Sequence, residues 1–459
     1  RHPAWRVRQK AIRQRVGALN PERMTLTPCY SNHGGFVPPQ CAHPFAEAPL
    51  QPEQFTAVMA HLGPWLPDRP DLPPVGIAVS GGGDSLCLAW LATHWRKNLL
   101  AFVVDHGLRA NSAAEARLTL ERLAAIGVPA RLLTLTNLRK GTGMAERARH
   151  ARYAILAQAC HDAGCIDLLL GHQADDQAET VAMRQRAGSG PDGLAGMAWG
   201  TALPTMRLVR PLLGFSRIAL RNTLQAQGLA WVDDPSNEDR KAERVRVRQY
   251  FAQDPAARLV CWQEAARQGQ GRMLRQHILA AAQAYAGTLL PLGWACLGTT
   301  LPESAVLASF VRTVGGLVYP PAHTAVAGLY QHSNGGTVCG VQLVKHQSQW
   351  FLVRERAALQ APVPLQTNQM WDQRFLVSQI SGSVPQGAYI GAAGLGIPRA
   401  ARMGWPAQFC ATLPAIWVQG QRVAIPHLGV WQDTALQGLE IVFQPPTPLC
   451  PGSFYGAEM

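Results

Sequence analysis

The hydrophobic positions of this chain fall into short unbroken runs, separated by longer stretches where apolar residues recur every three or four positions. Val75-Gly76-Ile77-Ala78-Val79 is one such run, and residues 86–95 after it have helical spacing. Residues 99–104 form a second run, followed by helical spacing over 112–126. A third run, 131–135, precedes a helical stretch over 144–163, and a fourth, 167–170, precedes one over 175–186. Runs that are apolar throughout, instead of at alternate positions, mark strands covered on both faces. Their alternation with helices predicts an α/β fold on a parallel sheet. Ligands of such sheets bind beyond the carboxyl ends of the strands, and the polar motifs of this chain stand there.

The pattern weakens after Arg248. Residues 259–286 and 305–314 keep helical spacing, and 341–344 and 350–353 look like strands. Residues 360–364 and 381–396, interrupted by proline and glycine, read as linkers or loops. The expected organisation is a nucleotide-binding parallel-sheet domain over residues 49–254, with the change near 251–255. A smaller mixed helical and β region over 255–459 follows it. Residues 1–48 are expected to form an extension outside the fold. Residues 1–15 are arginine-rich, hold no acid and lack the apolar stretch of a secretory signal. A start placed too far upstream is the expectation there.

Composition narrows the class. With 459 residues, two or three domains are expected, and 47% hydrophobic content is enough for a buried core. No apolar run reaches the roughly 20 residues that span a bilayer, so no membrane is expected. The formal net charge of +13 favours a polyanionic partner such as nucleic acid. Ten cysteines are scattered without C-x-x-C spacing, which fits free thiols in a reducing, cytoplasmic setting.

Ser80, Gly81, Gly82, Gly83, Asp84 and Ser85 follow the first strand and open a helix. Glycines there let backbone N–H groups approach an anion, and the helix end adds positive charge. Asp84 belongs beside phosphate only with Mg²⁺ between them; alternatively it is an N-cap in an ordinary strand-to-helix turn. The loop lacks G-x-x-x-x-G-K-[ST] and so is no Walker A motif. Asp105, His106 and Arg109 close the second strand, where Arg109 can grip a phosphate. The fourth strand ends in Gly171-His172-Gln173-Ala174-Asp175-Asp176-Gln177-Ala178-Glu179-Thr180. Asp176 and Glu179, three apart, share a helix face. They can coordinate Mg²⁺, anchor a substrate ammonium, or simply face the positive helix end. Arg149 and Arg152 on the third helix face a phosphate or solvent. In Arg244-Val245-Arg246-Val247-Arg248 the alternation suggests one basic face and one packed face.

The loop S-G-G-x-D-S after a strand resembles that of the ATP pyrophosphatases, which cleave ATP between the α- and β-phosphates. In their order, the segments 80–85, 105–109, 148–153, 172–180, 188–197, 210–213, 234–237 and 244–248 resemble the tRNA(Ile)-lysidine synthase family. The resemblance begins near Leu50 and is strong to Arg248. It implies an enzyme that adenylates the C2 oxygen of the wobble cytidine in the CAU-anticodon isoleucine tRNA. Free L-lysine then displaces AMP from C2. By the same resemblance ATP is held by Ser80, Gly81, Gly82, Gly83, Asp84, Ser85, His106 and Arg109. Asp84, Asp176 and Glu179 are catalytic, Mg²⁺ is held by Asp84 and Asp176, and Arg149, Arg152, Arg244 and Arg248 face RNA. Similar proteins are commonly dimers, so a homodimer is allowed.

One departure is local: Ala187 stands before Gly188 where many members carry arginine, with Arg184 and Arg186 near enough to compensate. The nearest alternatives are less well matched. A tRNA 2-thiocytidine synthetase needs paired C-x-x-C cysteines, and an amidotransferase-linked relative needs a glutaminase. A catalytically idle RNA binder would not need the intact loop and acids.

Overall fold

In a computed structural model of the chain, residues 43–107, 112–135, 144–203, 205–232, 243–331 and 335–450 are described. Strands β1 (Val75–Val79), β2 (Leu99–Asp105), β3 (Ala130–Thr134) and β4 (Asp167–Leu170) are mutually parallel. A short antiparallel pair, β5 (Gly200–Ala202) and β6 (Arg207–Val209), extends the sheet to the order β3-β2-β1-β4-β6-β5. The chain steps outward from β1 to β3, then returns to lay β4 on the other side of β1. The order therefore reverses between β1 and β4, which opens a crevice at their carboxyl ends.

Alternate strand residues fill two different cores, as a doubly covered sheet requires. Ile77, Val79, Ala101, Val103, Leu169 and Val209 face one side. There they meet α1 (Pro52–His61), α2 (Gly83–Trp95), α3 (Ser112–Ala125) and α7 (Arg217–Ala226). Leu100, Phe102, Leu168, Leu170 and Leu208 face the other, against Leu156 and Cys160 of α4 (Met144–Asp162). Helix α2 begins three residues before its apolar spacing suggests, because the glycine loop itself turns into the first helical turn.

Beyond the sheet come α5 (Ala174–Arg186), the single turn α6 (Pro191–Leu194) and α8 (Glu243–Gln253). Asp254 then caps the 32-residue α9 (Pro255–Ala286), accepting from the Ala257 N–H at 2.9 Å. One end of α9 packs Cys261 and Ala265 against Ala178, Val181 and Ala182 of α5. Leu279 and Ala282, at its other end, pack on the next core, around α10 (Ser304–Gly315). Thirteen strands among the described residues, from β7 (Thr288–Leu289) to β19 (Glu440–Phe443), follow as three antiparallel sheets, so the region after α9 is strand-rich as well as helical. Among the described residues no helix is long and apolar enough to cross a membrane.

Two expectations need correction. Within the supposed loops, β12 (Val363–Pro364) pairs with β15 (Tyr389–Ala392), which in turn pairs with β16 (Pro414–Val418). Proline at a strand edge and small residues hid these pairings from local reading. The stretch 43–48, assigned to the outer extension, also packs into the fold. Phe45 is buried beside α5 and α9, and the Ala46 carbonyl accepts from Ser216 Oγ at 2.7 Å.

Candidate active site at the switch point of the sheet

The glycine loop closes on its own hydroxyls. The Ser80 N–H donates to Ser85 Oγ at 3.1 Å, and Ser85 Oγ donates to the Gly82 carbonyl at 3.0 Å. Gly81 takes φ +83°, a left-handed conformation that favours glycine, with Thr119 close by. Gly82 caps α2 with no side-chain acceptor, so the first N–H groups of the helix stay open to an anion. The loop sits tightly against β4: a Cβ on Gly171 would lie 3.0 Å from the Ser85 Cα.

Across the switch point, Gln173 caps α5, its side chain accepting from the Asp175 and Asp176 N–H groups at 2.5 and 3.3 Å. Asp175 turns away from the crevice. It accepts from the Arg217 N–H at 2.9 Å and from Arg258 Nη1 at 2.8 Å. Asp176 and Glu179 instead face Asp84 across a shared cation. Arg217 lies 3.7 Å from Asp84, 3.4 Å from Asp176 and 3.6 Å from Glu179. Glu179 is fully buried and also held by Arg248 at 2.6 Å and Arg244 at 3.2 Å. Three carboxylates and three arginines thus interlock at the carboxyl ends of β1 and β4.

The charges are not evenly balanced. Burial pushes Asp84 up to about 6, against the attraction of Arg217 and with added repulsion from Asp176. Burial also raises Glu179 despite its bond to Arg248. A desolvated, under-compensated carboxylate beside a second one is a hard-oxygen pair of the kind Mg²⁺ takes together with phosphate oxygens. Among the described residues no group of three or more His, Cys, Asp or Glu side chains is placed to hold a metal ion. His172, after β4, is driven the other way, down to about 3, by burial and by Arg210, Arg149, Arg152 and Arg244. It is neutral at physiological pH.

Ser80, Gly81, Gly82, Gly83, Asp84 and Ser85 form one wall, and Asp176 and Glu179 the other. His106 follows β2 in a turn where Asp105 accepts from the Gly107 N–H at 2.9 Å. Arg109 and residues 234–237 lie outside the described residues. Arg149 and Arg152 flank the Tyr153 ring at 5.2 and 5.6 Å, next to His172. Arg244 and Arg248 are one helical turn apart on α8 and grip Glu179, while Arg246 is exposed and Val245 and Val247 are buried. A period-two alternation on a helix does not make a single basic face, so the expected stripe is replaced by a pair directed at one acid. Arg184 donates to the carbonyls of Gly193 and Gly196 at 2.5 and 3.1 Å, bracing the loop after Gly188. Arg217 belongs to none of the sequence motifs above. Its signal is electrostatic: an arginine opening a helix with no acid in the first turn opposes the helix dipole unless acids face it from elsewhere.

Residues 67–255 match the PP-loop domain family. A tRNA(Ile)-lysidine synthase of Ruegeria pomeroyi is 33% identical over 379 residues, 78% of this chain and 89% of that protein. One from Mesorhizobium japonicum is 35% identical over 67% of this chain and 73% of its own length. A third, from Hyphomonas neptunium, is 46% identical over 209 residues, 43% of this chain and 56% of that one. The higher identity of the third lies over a part of the chain, and the first relative extends the likeness through most of its own length. With the glycine loop and the paired acids facing each other at the switch point, this chain belongs to the tRNA(Ile)-lysidine synthase family.

Proposed function

We infer that this protein is an ATP-dependent ligase that joins free L-lysine to C2 of the wobble cytidine in the CAU-anticodon isoleucine tRNA, releasing AMP and pyrophosphate. The observation that carries the reading is the opposition of an anion-ready loop at β1 to two acids at β4, in a chain of this family. The C2 oxygen is a poor leaving group until it carries AMP, so activation must precede attack by the amine. In the proposed arrangement, the open N–H groups of α2 with Ser80 and Ser85 take the phosphates of ATP, and His106 lies towards the nucleotide. Mg²⁺, when bound, would neutralise phosphate charge, and Asp84 and Asp176 would hold it.

Asp176 is the acid proposed to face the lysine ammonium and to help remove its proton. Glu179, fully buried and doubly paired, suits a positioning role: it fixes Arg244 and Arg248 at the crevice. Arg149 and Arg152 are proposed to meet the tRNA beside the target nucleotide. Residues 49–254 would perform the chemistry and residues 255–459 would position the tRNA. A cytoplasmic setting fits the eight free cysteines of the described residues.

The test is incorporation of labelled lysine into isoleucine tRNA with a CAU anticodon, with ATP and Mg²⁺. Incorporation that disappears with a UAU anticodon supports the reading; ATP cleavage driven only by some other RNA overturns the substrate. Asp176→Ala is expected to bind tRNA normally and to incorporate no lysine, and normal incorporation would sink its assignment.

A further inference from the structure

The strap of residues 43–50, ahead of α1, is tied to four of the helices around the crevice. Three bonds fasten its backbone along α7. Ser216 Oγ donates to the Ala46 carbonyl, Asn222 Nδ2 to the Glu47 carbonyl and the Leu50 N–H to Thr223 Oγ1, each at 2.7 Å. Phe45 is only 7% exposed. It shares one core with Ala178 and Val181 of α5, Val247 and Phe251 of α8, and Ala265 of α9. Helix α5 carries Asp176 and Glu179, α8 carries Arg244 and Arg248, and α9 carries Arg258, while α7 opens with Arg217. One aromatic side chain thus stands where the supports of the interlocked charges meet.

A path of polar contacts leads from that ring to the crevice. The Arg258 guanidinium lies 4.1 Å from the centre of the Phe45 ring. Arg258 Nη1 donates to Asp175 Oδ1 at 2.8 Å, and Asp175 Oδ2 accepts from the Arg217 N–H at 2.9 Å. The Arg217 side chain then meets Asp84, Asp176 and Glu179. Arg258 Nε has no hydrogen-bond partner among the described residues, so ring and carboxylate together fix the guanidinium. A ring face attracts the cation and keeps water from its ion pair, which strengthens the pair in turn. We propose that Phe45 is a positioning residue of the adenylation site: through Arg258 and Asp175 it sets where Arg217 meets the three acids. Without the ring, Arg258 is free to turn to solvent and Asp175 loses one of its two partners. The start of α7 then shifts, and small displacements of groups around reacting atoms cost rate steeply. This role rests on the proposed reaction and extends its machinery ahead of residue 49, into a segment that makes no contact with ATP.

The experiment follows pyrophosphate release from ATP by the full chain, with lysine and the CAU-anticodon isoleucine tRNA present. Phe45→Leu keeps an apolar side chain in the core and removes the ring face. Arg258→Met keeps the stem and removes the charge, and a third variant carries both changes. Each single change is expected to lower kcat about tenfold, with KM for tRNA within about twofold of wild type. The double variant should also fall only about tenfold, because the two residues act along one path; separate packing effects would multiply to about a hundredfold. Phe45→Tyr, which keeps the ring, should stay within about threefold of wild type. A wild-type rate for Phe45→Leu, or single losses that multiply in the double variant, overturns the role of Phe45 while the reaction stands. Should Phe45→Leu fail to fold by circular dichroism, Arg258→Met decides alone, and an unchanged rate there overturns the path. A wild-type protein that releases no pyrophosphate with this tRNA removes the reaction and the positioning role together.

Discussion

Asp84 sits where two requirements conflict: its neighbours in the loop favour an anion from outside, while its own carboxylate is desolvated. It keeps its proton to about pH 6 in the folded protein, against 3.8 for the free side chain. Between those values the native state binds more protons than the unfolded chain, so stability falls as pH rises through that window. Asp84→Asn is therefore expected to be more stable than wild type by about 1–3 kcal/mol at pH 8 without divalent ions. The gain should fade towards pH 4, and the variant should form no AMP. Urea unfolding at the two pH values checks this, and a less stable variant at pH 8 would mean that attraction to Arg217 outweighs burial. Arg217 is the second residue on which the site turns. Arg217→Met leaves three acids without their common counter-ion, and AMP formation should fall by about 100-fold, roughly 2.7 kcal/mol of transition-state stabilisation. Undiminished pyrophosphate release would place Arg217 outside the working site.

Elements hold these residues by close fit more than by flexible reach. The end of β4 and the start of α2 touch backbone to backbone at Gly171, with Ser85 Cα and N lying 3.0 and 3.1 Å from where a Cβ would be. Gly171→Ala must push the loop away from β4. It should cost about 1–3 kcal/mol of stability and weaken ATP use far more than tRNA binding. Thermal melting and pyrophosphate release separate the two effects, and a variant with unchanged ATP kinetics would show that the loop has slack. Further along the chain, Asp372 accepts from Arg374 Nε at 2.8 Å and Arg354 Nε at 3.1 Å, while Arg374 Nη1 donates to the Val314 carbonyl at 3.0 Å. This buried cluster links β11 (Gln349–Arg354) to the end of α10. Asp372→Ala would strand two guanidinium groups and is expected to cost about 3–5 kcal/mol, measured by urea unfolding. A loss below about 1 kcal/mol would show that water reaches the cluster.

At the scale of the whole molecule, the excess of 13 positive charges matters for association rather than for folding. Neutralising tRNA phosphates releases counter-ions, so KM for tRNA should rise steeply between about 50 and 200 mM salt. KM for lysine should change little over the same range. A flat tRNA profile would mean that binding depends on shape and base contacts instead of charge. Helix α9 physically joins the crevice to the core around α10. Arg258, in its first turn, bonds Asp175 and lies 4.1 Å over the Phe45 ring, while Leu279 and Ala282 join the core near α10.

Much of this was legible in the chain itself. Unbroken apolar runs such as Leu99-Leu100-Ala101-Phe102-Val103 require a strand with two buried faces. Glycines directly after such a strand require a backbone approach that side chains would block. Local chemistry alone thus determined a parallel sheet, its anion loop and the acids at the end of β4. What the sequence could not show was which distant groups answer those acids. Arg217 lies 38 positions beyond Glu179, and its pairing with Asp84, Asp176 and Glu179 depends on the return of the chain to the far side of β1. The pairing of β12 with β15 likewise joins segments that read locally as loops, because a ladder is made by its partner and not by its own residues. Periodicity and turn chemistry act over a few residues, so they were written in the sequence; charge compensation and strand pairing act through space, so only the tertiary structure decided them.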